Sequence, residues 1–405
     1  MTQNLTGLLQ KYGEQVALQW AKELHENVSN HYAARPFEEL LTTTSQSSRA
    51  NFDAIVYGDY SKVDAFIAKI CDLRLEGGFA LSEVQKAFEI YRTIWVPILV
   101  KELKGNALLE ALQRLNDCLS RTIFAFSDYF LHMTNARLIE KQKKLDEDLH
   151  AAAGIQQSLL PQKLAKQPKV ENLEIAWKFM PCETIGGDIF NVIRLDEEHL
   201  GFYMIDVSGH GVPPALVTFS ISQTLQPHMG YTIRKRPGLS PNYEIVPPAE
   251  VLKALDSEYP WERFEKFLTI IYLILNIRNG HLIYSNAAHP PPILVHADGT
   301  TELLEKGGTI IGLDGILPFE EEEKIISAGD KIILYTDGVF EFTNEKMALF
   351  GKERFHALIN SKKGLPIANI LEESVREIQR FVGDAILQDD VSILGIEFKE
   401  RNATD

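Results

Sequence analysis

The hydrophobic period of this chain changes once, near residue 170, and that change limits the folds open to it. Before it, apolar residues recur every three or four positions. In "LLQKYGEQVALQWAKEL" the side chains of Leu9, Val16, Trp20 and Leu24 share one helical face. "ALSEVQKAFEIYRTIWVPILVKEL" repeats the pattern, with Ser82 as an N-cap for a helix beginning near Glu83. "ALLEALQRLNDCLSRTIFAFSDYFLHMTNARL" repeats it again, and Gly77-Gly78 and Pro97 read as interruptions. Residues 1–135 are therefore expected to form a bundle of four to six helices.

After the change, short apolar or alternating runs are punctuated by turns. "LEIAWKFM", "HLGFYMID", "LTIIYLILNIRNGHLIYSNAAH", "DKIILYTDGVFEF" and "DDVSILGIEF" read as strands. Asn279-Gly280 is a two-residue hairpin signal, and Asp298-Gly299 is a second. Helical stretches at 213–225, 247–258 and 366–382 lie between them. Strands in hairpins with interspersed helices predict an α+β layered domain with antiparallel sheets, not a doubly wound parallel one.

Between the two textures, "RLIEKQKKLDEDLHAAAGIQQSLL" spaces Leu138, Leu145, Ala152 and Leu159 seven apart, with Leu149 beside them. This seam fits a dimerising coiled coil or a helix packed on its own domain; both readings stand. Pro161 ends it.

The length of 405 residues calls for at least two domains. A net charge of −15, from 41 basic and 56 acidic residues, argues against a nucleic-acid binder, which shows a basic stripe. Cys71, Cys118 and Cys182 are odd in number and far apart, without zinc spacing, which fits a reduced cytoplasmic setting. The first residues lack the charged and apolar regions of a signal peptide, and no apolar run reaches the ~18 residues of a membrane helix. No membrane role is expected. His25, His31, His132 and His150 fall in or near the helical part, but their spacing does not support haem ligation.

The informative residues are aspartates at strand ends. "GFYMIDVSGHGVPPALV" drives Asp206 to the end of an apolar run and follows it with small residues. "CETIGGDIF" puts Asp188 after two glycines, "KIILYTDGVFE" ends a strand in Asp337-Gly338, and "ILQDDVSILGIEF" sets Asp389 and Asp390 before one. A single Asp-Gly is usually a turn. Four such strand ends on one sheet edge would raise one another's pKa values, and a divalent cation removes that cost. Oxygen ligands without His or Cys suit Mg²⁺ or Mn²⁺. Glycine allows close backbone approach, so the Val207 carbonyl is a candidate ligand beside a bridging Asp206. Two ions ~3.5–4 Å apart form a hydrolytic site for phosphate esters.

At these residues the sequence resembles PPM-type metal-dependent protein phosphatases of the bacterial SpoIIE/RsbU-like branch. "GGDIF", "DVSGHGVPPAL", "FLTIIYLIL…NGHLIYSNAAHPPPILV", "GTIIGL" and "LYTDGVFE…DDVSIL" carry the likeness, in family order, over roughly residues 150–398. The resemblance implies an α-β-β-α sandwich and hydrolysis of phosphoserine or phosphothreonine with two Mn²⁺ or Mg²⁺ ions. It implies Asp188 on one metal, Asp206 bridging with help from the Val207 carbonyl, and Asp337 and Asp389 on the other. Asp390 is the alternative to Asp389. Water at the metals attacks directly, without a phospho-enzyme. The implied substrate is a phosphorylated STAS-domain anti-sigma-factor antagonist, whose dephosphorylation frees a sigma factor.

Asn191, Pro214 and Ala288 depart from residues common in the family, and none is an implied ligand. His210 reads either as a general acid for the leaving seryl oxygen or as a turn histidine. His289 reads as a loop-ordering residue before a catalytic one. "RLEGGFALSEVQKAFEIYRTIW" resembles the globin-like, usually haem-free N-terminal domain of RsbR/RsbRD-type stressosome regulators. The expected organisation is a helical sensory or partner-binding domain at 1–135, a linker helix or coiled coil at 136–168 supporting a homodimer, and a phosphatase domain at 169–398. A catalytically silent phosphoprotein-binding scaffold and a small-molecule phosphohydrolase are the competing readings.

Overall fold

The computed structural model describes residues 2–161, 172–238, 241–313 and 315–399. The chain divides into two compact units, Met1–Leu145 and Asp146–Asp405. Residues 162–168, read as the end of the linker, lie outside the described residues.

The first unit is helical: α1 Thr2–Asn27, α2 Asn30–Ala33, α3 Phe37–Tyr57, α4 Ser61–Glu76, α5 Leu81–Glu102 and the start of α6 Asn106–Leu159. α1 packs on α3 and α5, and α3 on α4. Trp20, Phe88, Tyr91, Trp95 and Phe126 fill the centre. The Trp20 indole donates to the Ala87 carbonyl at 2.7 Å and stands 4.8 Å from the Tyr91 ring. Arg74 is buried, paired with Glu39 at 3.3 Å and set against Tyr32 and Phe79.

Two expectations change here. α5 begins at Leu81 with Ala80 as its N-cap, because Glu83 reaches back to accept the Ala80 N–H at 2.7 Å. A carboxylate in the first turn replaces the hydroxyl cap expected from Ser82. Pro97 lies inside α5 and does not end it. Ile94, Trp95 and Leu99 are buried around it, so side-chain packing on both sides outweighs the one lost backbone bond.

α6 is one continuous helix of 54 residues, joining the last helix of the bundle pattern to the seam. Residues 138–148 of this helix are exposed on every face. No helix of the described residues is long and apolar enough to cross a membrane.

The second unit runs β1 Leu173–Met180, β2 Asp188–Arg194, β3 His199–Val207, α7 Val212–Thr224, β4 Ile233–Lys235, β5 Tyr243–Ile245, α8 Pro248–Glu258, α9 Trp261–Phe264, β6 Leu268–Asn276 and β7 His281–Ala287. It continues with β8 Ile293–Val295, β9 Thr301–Leu303, β10 Gly307–Gly308, β11 Glu322–Ile325, β12 Lys331–Tyr335, α10 Lys352–Lys362, α11 Ile367–Val382 and β13 Val391–Phe398. A five-stranded sheet has the order β1-β13-β12-β8-β9, and a six-stranded sheet the order β10-β7-β6-β3-β2 with β11 also on β7. All neighbours are antiparallel except the short β10–β7 pair.

The sheets face each other through Phe190, Phe202, Met204, Leu273, Ile332, Leu334, Leu394 and Ile396. α7 and α8 cover the outer face of the larger sheet, with Ile221, Leu252 and Leu255 buried in the same core. α10 and α11 contribute Phe355, Ile359, Ile370 and Leu371 to a second core with Ile333, Tyr335 and Ile393 of the smaller sheet. The result is the α-β-β-α sandwich. Strands covered on both faces read as continuous apolar runs, which is why "KIILY" is buried at all five positions.

α7, α8 and α11 fall within a residue of the expected helices; α10 was not foreseen. The Asn279-Gly280 connection is longer than a two-residue hairpin. Asn276 Oδ1 accepts the N–H groups of Arg278 and Asn279, closing a turn over residues 277–280 that ends in Gly280 at φ +72°.

Gly395 lies where α11 crosses β13, and a Cβ there would sit 2.4 Å from Ile367 Cγ1 and 3.0 Å from Leu371 Cδ1. Gly395→Val should therefore cost about 1–3 kcal/mol of stability by overpacking. Urea unfolding of the full chain measures it, and an unchanged midpoint would rule out the tight helix–sheet approach.

Candidate active site

Each expected aspartate falls at the same end of the sandwich. Asp188 opens β2 and Asp206 is the penultimate residue of β3, and the two are direct cross-strand partners. Asp337 starts the short 3-10 turn after β12, and Asp389 and Asp390 precede β13. Two carboxylates thus come from each sheet.

Asp188 is buried and is held by the opposite sheet. Its Oδ2 accepts the Thr336 hydroxyl at 2.8 Å and the Ser392 hydroxyl at 2.7 Å. Burial, then the charges of Asp206 and Asp390, drives its pKa far above the usual carboxylate range. Burial, then the charges of Asp337, Asp389, Asp390 and Glu341, pushes Asp206 up to about 8. Asp337 is raised by burial and by Glu341. Asp389 is raised by burial, then by Asp337 and Asp390, while His210 acts in the opposite direction. These mutual effects place the carboxylates in one electrostatic cluster.

Asp390 does a different job from Asp389. It is 2% exposed, its Oδ1 accepts the Cys182 N–H at 2.9 Å, and its Oδ2 accepts those of Gly187 at 2.6 Å and Asp188 at 3.3 Å. Both of its oxygens are engaged in holding the β1–β2 connection. Asp389 has one oxygen on the Asp390 N–H at 2.8 Å and is only partly buried.

The glycines follow from these contacts. A Cβ on Gly187 would lie 2.8 Å from the Val207 carbonyl oxygen and 3.1 Å from that of Gly209, so it would fill the cradle in which the Val207 oxygen sits. A Cβ on Gly186 would meet Asp390 Oδ2 at 2.2 Å, and one on Gly338 would meet the Asp390 carbonyl at 2.0 Å. Among the described residues no three His, Cys, Asp or Glu side chains close on a single point. An open, all-oxygen donor set around a vacant cradle fits Mg²⁺ or Mn²⁺, which keep several waters, and does not fit zinc.

His210 is exposed and pairs through Nδ1 with Glu183 Oε1 at 2.8 Å. His289 is 2% exposed, and burial holds it neutral, with its pKa lowered to about 3. Its Nδ1 meets Thr269 Oγ1 at 2.8 Å, and Thr269 is the cross-strand partner of Asp206. Its backbone N–H donates to Asn286 Oδ1 at 2.7 Å, closing the turn in which Ala288 takes φ +52°. His289 thus orders this loop. Glu341, Thr336, Ser392 and Asn286 were missed from sequence. Only Glu341 carried a signal, as the acidic residue of "TDGVFE" four places after Asp337.

A sandwich of two antiparallel sheets between helices, with aspartates from both sheets at one end, defines the PP2C class of fold. The solved SiaA-PP2C domain of Pseudomonas aeruginosa shares it at a TM-score of 0.53 and 24% identity, over 64% of this chain and 99% of that one. The sequence model of the family described as Stage II sporulation protein E (SpoIIE) matches residues 196–399, half of the chain, and the protein belongs to that family. Phosphoserine phosphatase RsbP of Bacillus subtilis (strain 168) is 27% identical over 237 residues, 57% of this chain and 53% of the relative. Phosphoserine phosphatase RsbU of the same organism is 26% identical over 208 residues, 50% of this chain and 56% of the relative. The chain spans about half the length of these curated relatives.

The raised pKa of Asp206 has a thermodynamic sign. Between 3.8 and about 8 the folded, metal-free chain keeps a proton that the unfolded chain has released. Folding stability falls as pH rises across that window. Asp206→Asn cannot ionise and loses this slope. In urea unfolding with EDTA, the stability of Asp206→Asn relative to wild type should grow with pH through the window; a constant difference would contradict the assignment.

Proposed function

We propose that this chain is a metal-dependent serine/threonine phosphoprotein phosphatase. The observation that carries the reading is the gathering of Asp188, Asp206, Asp337 and Asp389 from both sheets of a SpoIIE-family sandwich. The names of RsbP and RsbU support phosphoserine as the bond attacked. A phosphorylated STAS-domain anti-sigma-factor antagonist is the proposed substrate, on the family likeness of the motifs.

Two divalent ions, Mn²⁺ or Mg²⁺, would neutralise the phosphate and acidify the attacking water. Asp188 would hold one ion, Asp206 would bridge both with the Val207 carbonyl beside it, and Asp337 and Asp389 would hold the other. Asp389 is preferred to Asp390 because both oxygens of Asp390 are occupied by backbone N–H groups. Thr336 and Ser392 fix Oδ2 of Asp188 and leave Oδ1 to face a ligand. Glu183 holds the His210 ring by Nδ1, which leaves Nε2 to deliver a proton to the departing seryl oxygen.

Phosphate release from a phosphoserine STAS-domain protein, with Mn²⁺ against EDTA, tests the reading. Release should require Mn²⁺, vanish in Asp206→Ala, and fall roughly 10²–10⁴-fold in His210→Ala. Turnover retained in Asp206→Ala would sink the two-metal assignment. No release with Mn²⁺ from wild type would favour the silent scaffold.

The helical unit, residues 1–135, is proposed to receive a signal or a regulatory partner, and residues 136–160 to pair two copies. Leu138 and Leu145 are 59% and 60% exposed along a helix with no cover of its own there, which favours the coiled-coil reading over self-packing. Light scattering at micromolar protein should give a dimer mass, reduced to a monomer by Leu138→Asp with Leu145→Asp. A wild-type monomer would rule it out.

A further inference from the structure

The last two turns of α6 carry a contact that the proposed chemistry does not use. Ala153, Gln156 and Leu160 face inward, and Leu160 belongs to the sandwich core. Gln156 is 6% exposed in a helix whose middle is exposed on every side. Its Nε2 donates to the Gly186 carbonyl at 2.7 Å and lies 3.4 Å from the Asp188 carbonyl, and its Oε1 accepts the Gly186 N–H at 3.1 Å. One side-chain amide therefore satisfies both backbone groups of Gly186, as a neighbouring strand would. Only an amide offers a donor and an acceptor in that fork.

The loop needs such help. Gly186 and Gly187 have no side chains with which to anchor themselves, and Cβ atoms there would collide with Asp390 and the Val207 carbonyl. Two outside groups hold the segment that delivers Asp188: Asp390 at Cys182, Gly187 and Asp188, and Gln156 at Gly186. Gln156 lies outside the segment 196–399 matched by the family model.

We propose that Gln156 is a positioning residue that holds the Gly186–Asp188 segment in its ligand-bearing conformation, so that the seating of the last turns of α6 sets the affinity of the site for a divalent cation. The part concerning metal rests on the phosphatase reading; the latch itself does not. Gln156→Met keeps the length and the burial of the side chain and removes both hydrogen bonds.

Two measurements on the full chain test this. Without metal, hydrogen exchange of the peptide spanning 182–190 should be faster in Gln156→Met than in wild type. Calorimetric titration with Mn²⁺ should give an affinity about tenfold weaker, the size expected when a support of a ligand is removed. Ile155→Ala, at an exposed neighbouring position of α6, should leave both unchanged. The melting temperature separates this from global unfolding, since a loop-specific effect leaves exchange elsewhere at the wild-type rate. Unchanged exchange at 182–190 in Gln156→Met would overturn the latch. Faster exchange with an unaltered Mn²⁺ affinity would overturn its role toward the metal. A wild-type chain that takes up no Mn²⁺ would overturn the metal reading itself, and the exchange result would still judge the latch.

Discussion

The two sheets are tied together at the site by a carboxylate that is not placed as a ligand. Asp390 stands just before β13 of the smaller sheet and accepts three backbone N–H groups from the segment leading into β2 of the larger one. A buried carboxylate is tolerable only when its lone pairs are filled, and these are. The bonds set the distance between sheets at this end. They require glycine at 186, because a side chain would occupy the place of the Asp390 carboxylate, and at 338, because the backbone of Asp390 passes too close. The motif glycines are thus consequences of how one aspartate is satisfied.

With the sheets joined in this way, the remaining aspartates cannot avoid one another. Asp188 and Asp206 are paired across two hydrogen-bonded strands, and Asp337 and Asp389 arrive from the facing sheet. The fold carries their repulsion and burial as raised pKa values. The protein keeps these groups where they weaken the metal-free state, in the manner of sites whose chemistry conflicts with stability. Hydroxyl partners suit such a place. Thr336 and Ser392 can donate to an ionised Asp188 and accept from a protonated one, so its position survives a change of charge.

The layered α+β fold and the strand-end aspartates were legible because both depend on local pattern. Periodicity separated helix from strand, and apolar runs ending in aspartate marked the edge where the carboxylates gather. What was lost is what depends on distant partners. Pro97 looks like a break only until Trp95 and Leu99 are seen to be buried around it. The cap at Ala80 belongs to Glu83 because of where that side chain reaches, and the 277–280 turn is lengthened by Asn276. Asp389 and Asp390 are adjacent in sequence and similar in kind; only their hydrogen bonds distinguish them. Thr336 and Ser392 are ordinary strand residues until they are seen to converge on Asp188.

The same distinction explains the histidines and the glutamine. His289 lies in a motif that invites a catalytic role, yet burial holds it neutral, and a group titrating near 3 cannot shuttle a proton at neutral pH. Its use is geometric: it joins the turn after β7 to Thr269, beside Asp206. Asp390 does comparable work from the start of β13, and Gln156 from the end of α6. The groups read as ligands sit where strands end, whereas the groups that hold them come from three remote parts of the chain. Placement of the carboxylates is therefore a property of the whole sandwich and of the helix turns seated on it, and a change in any one support reaches the site through backbone that has no side chain to resist it.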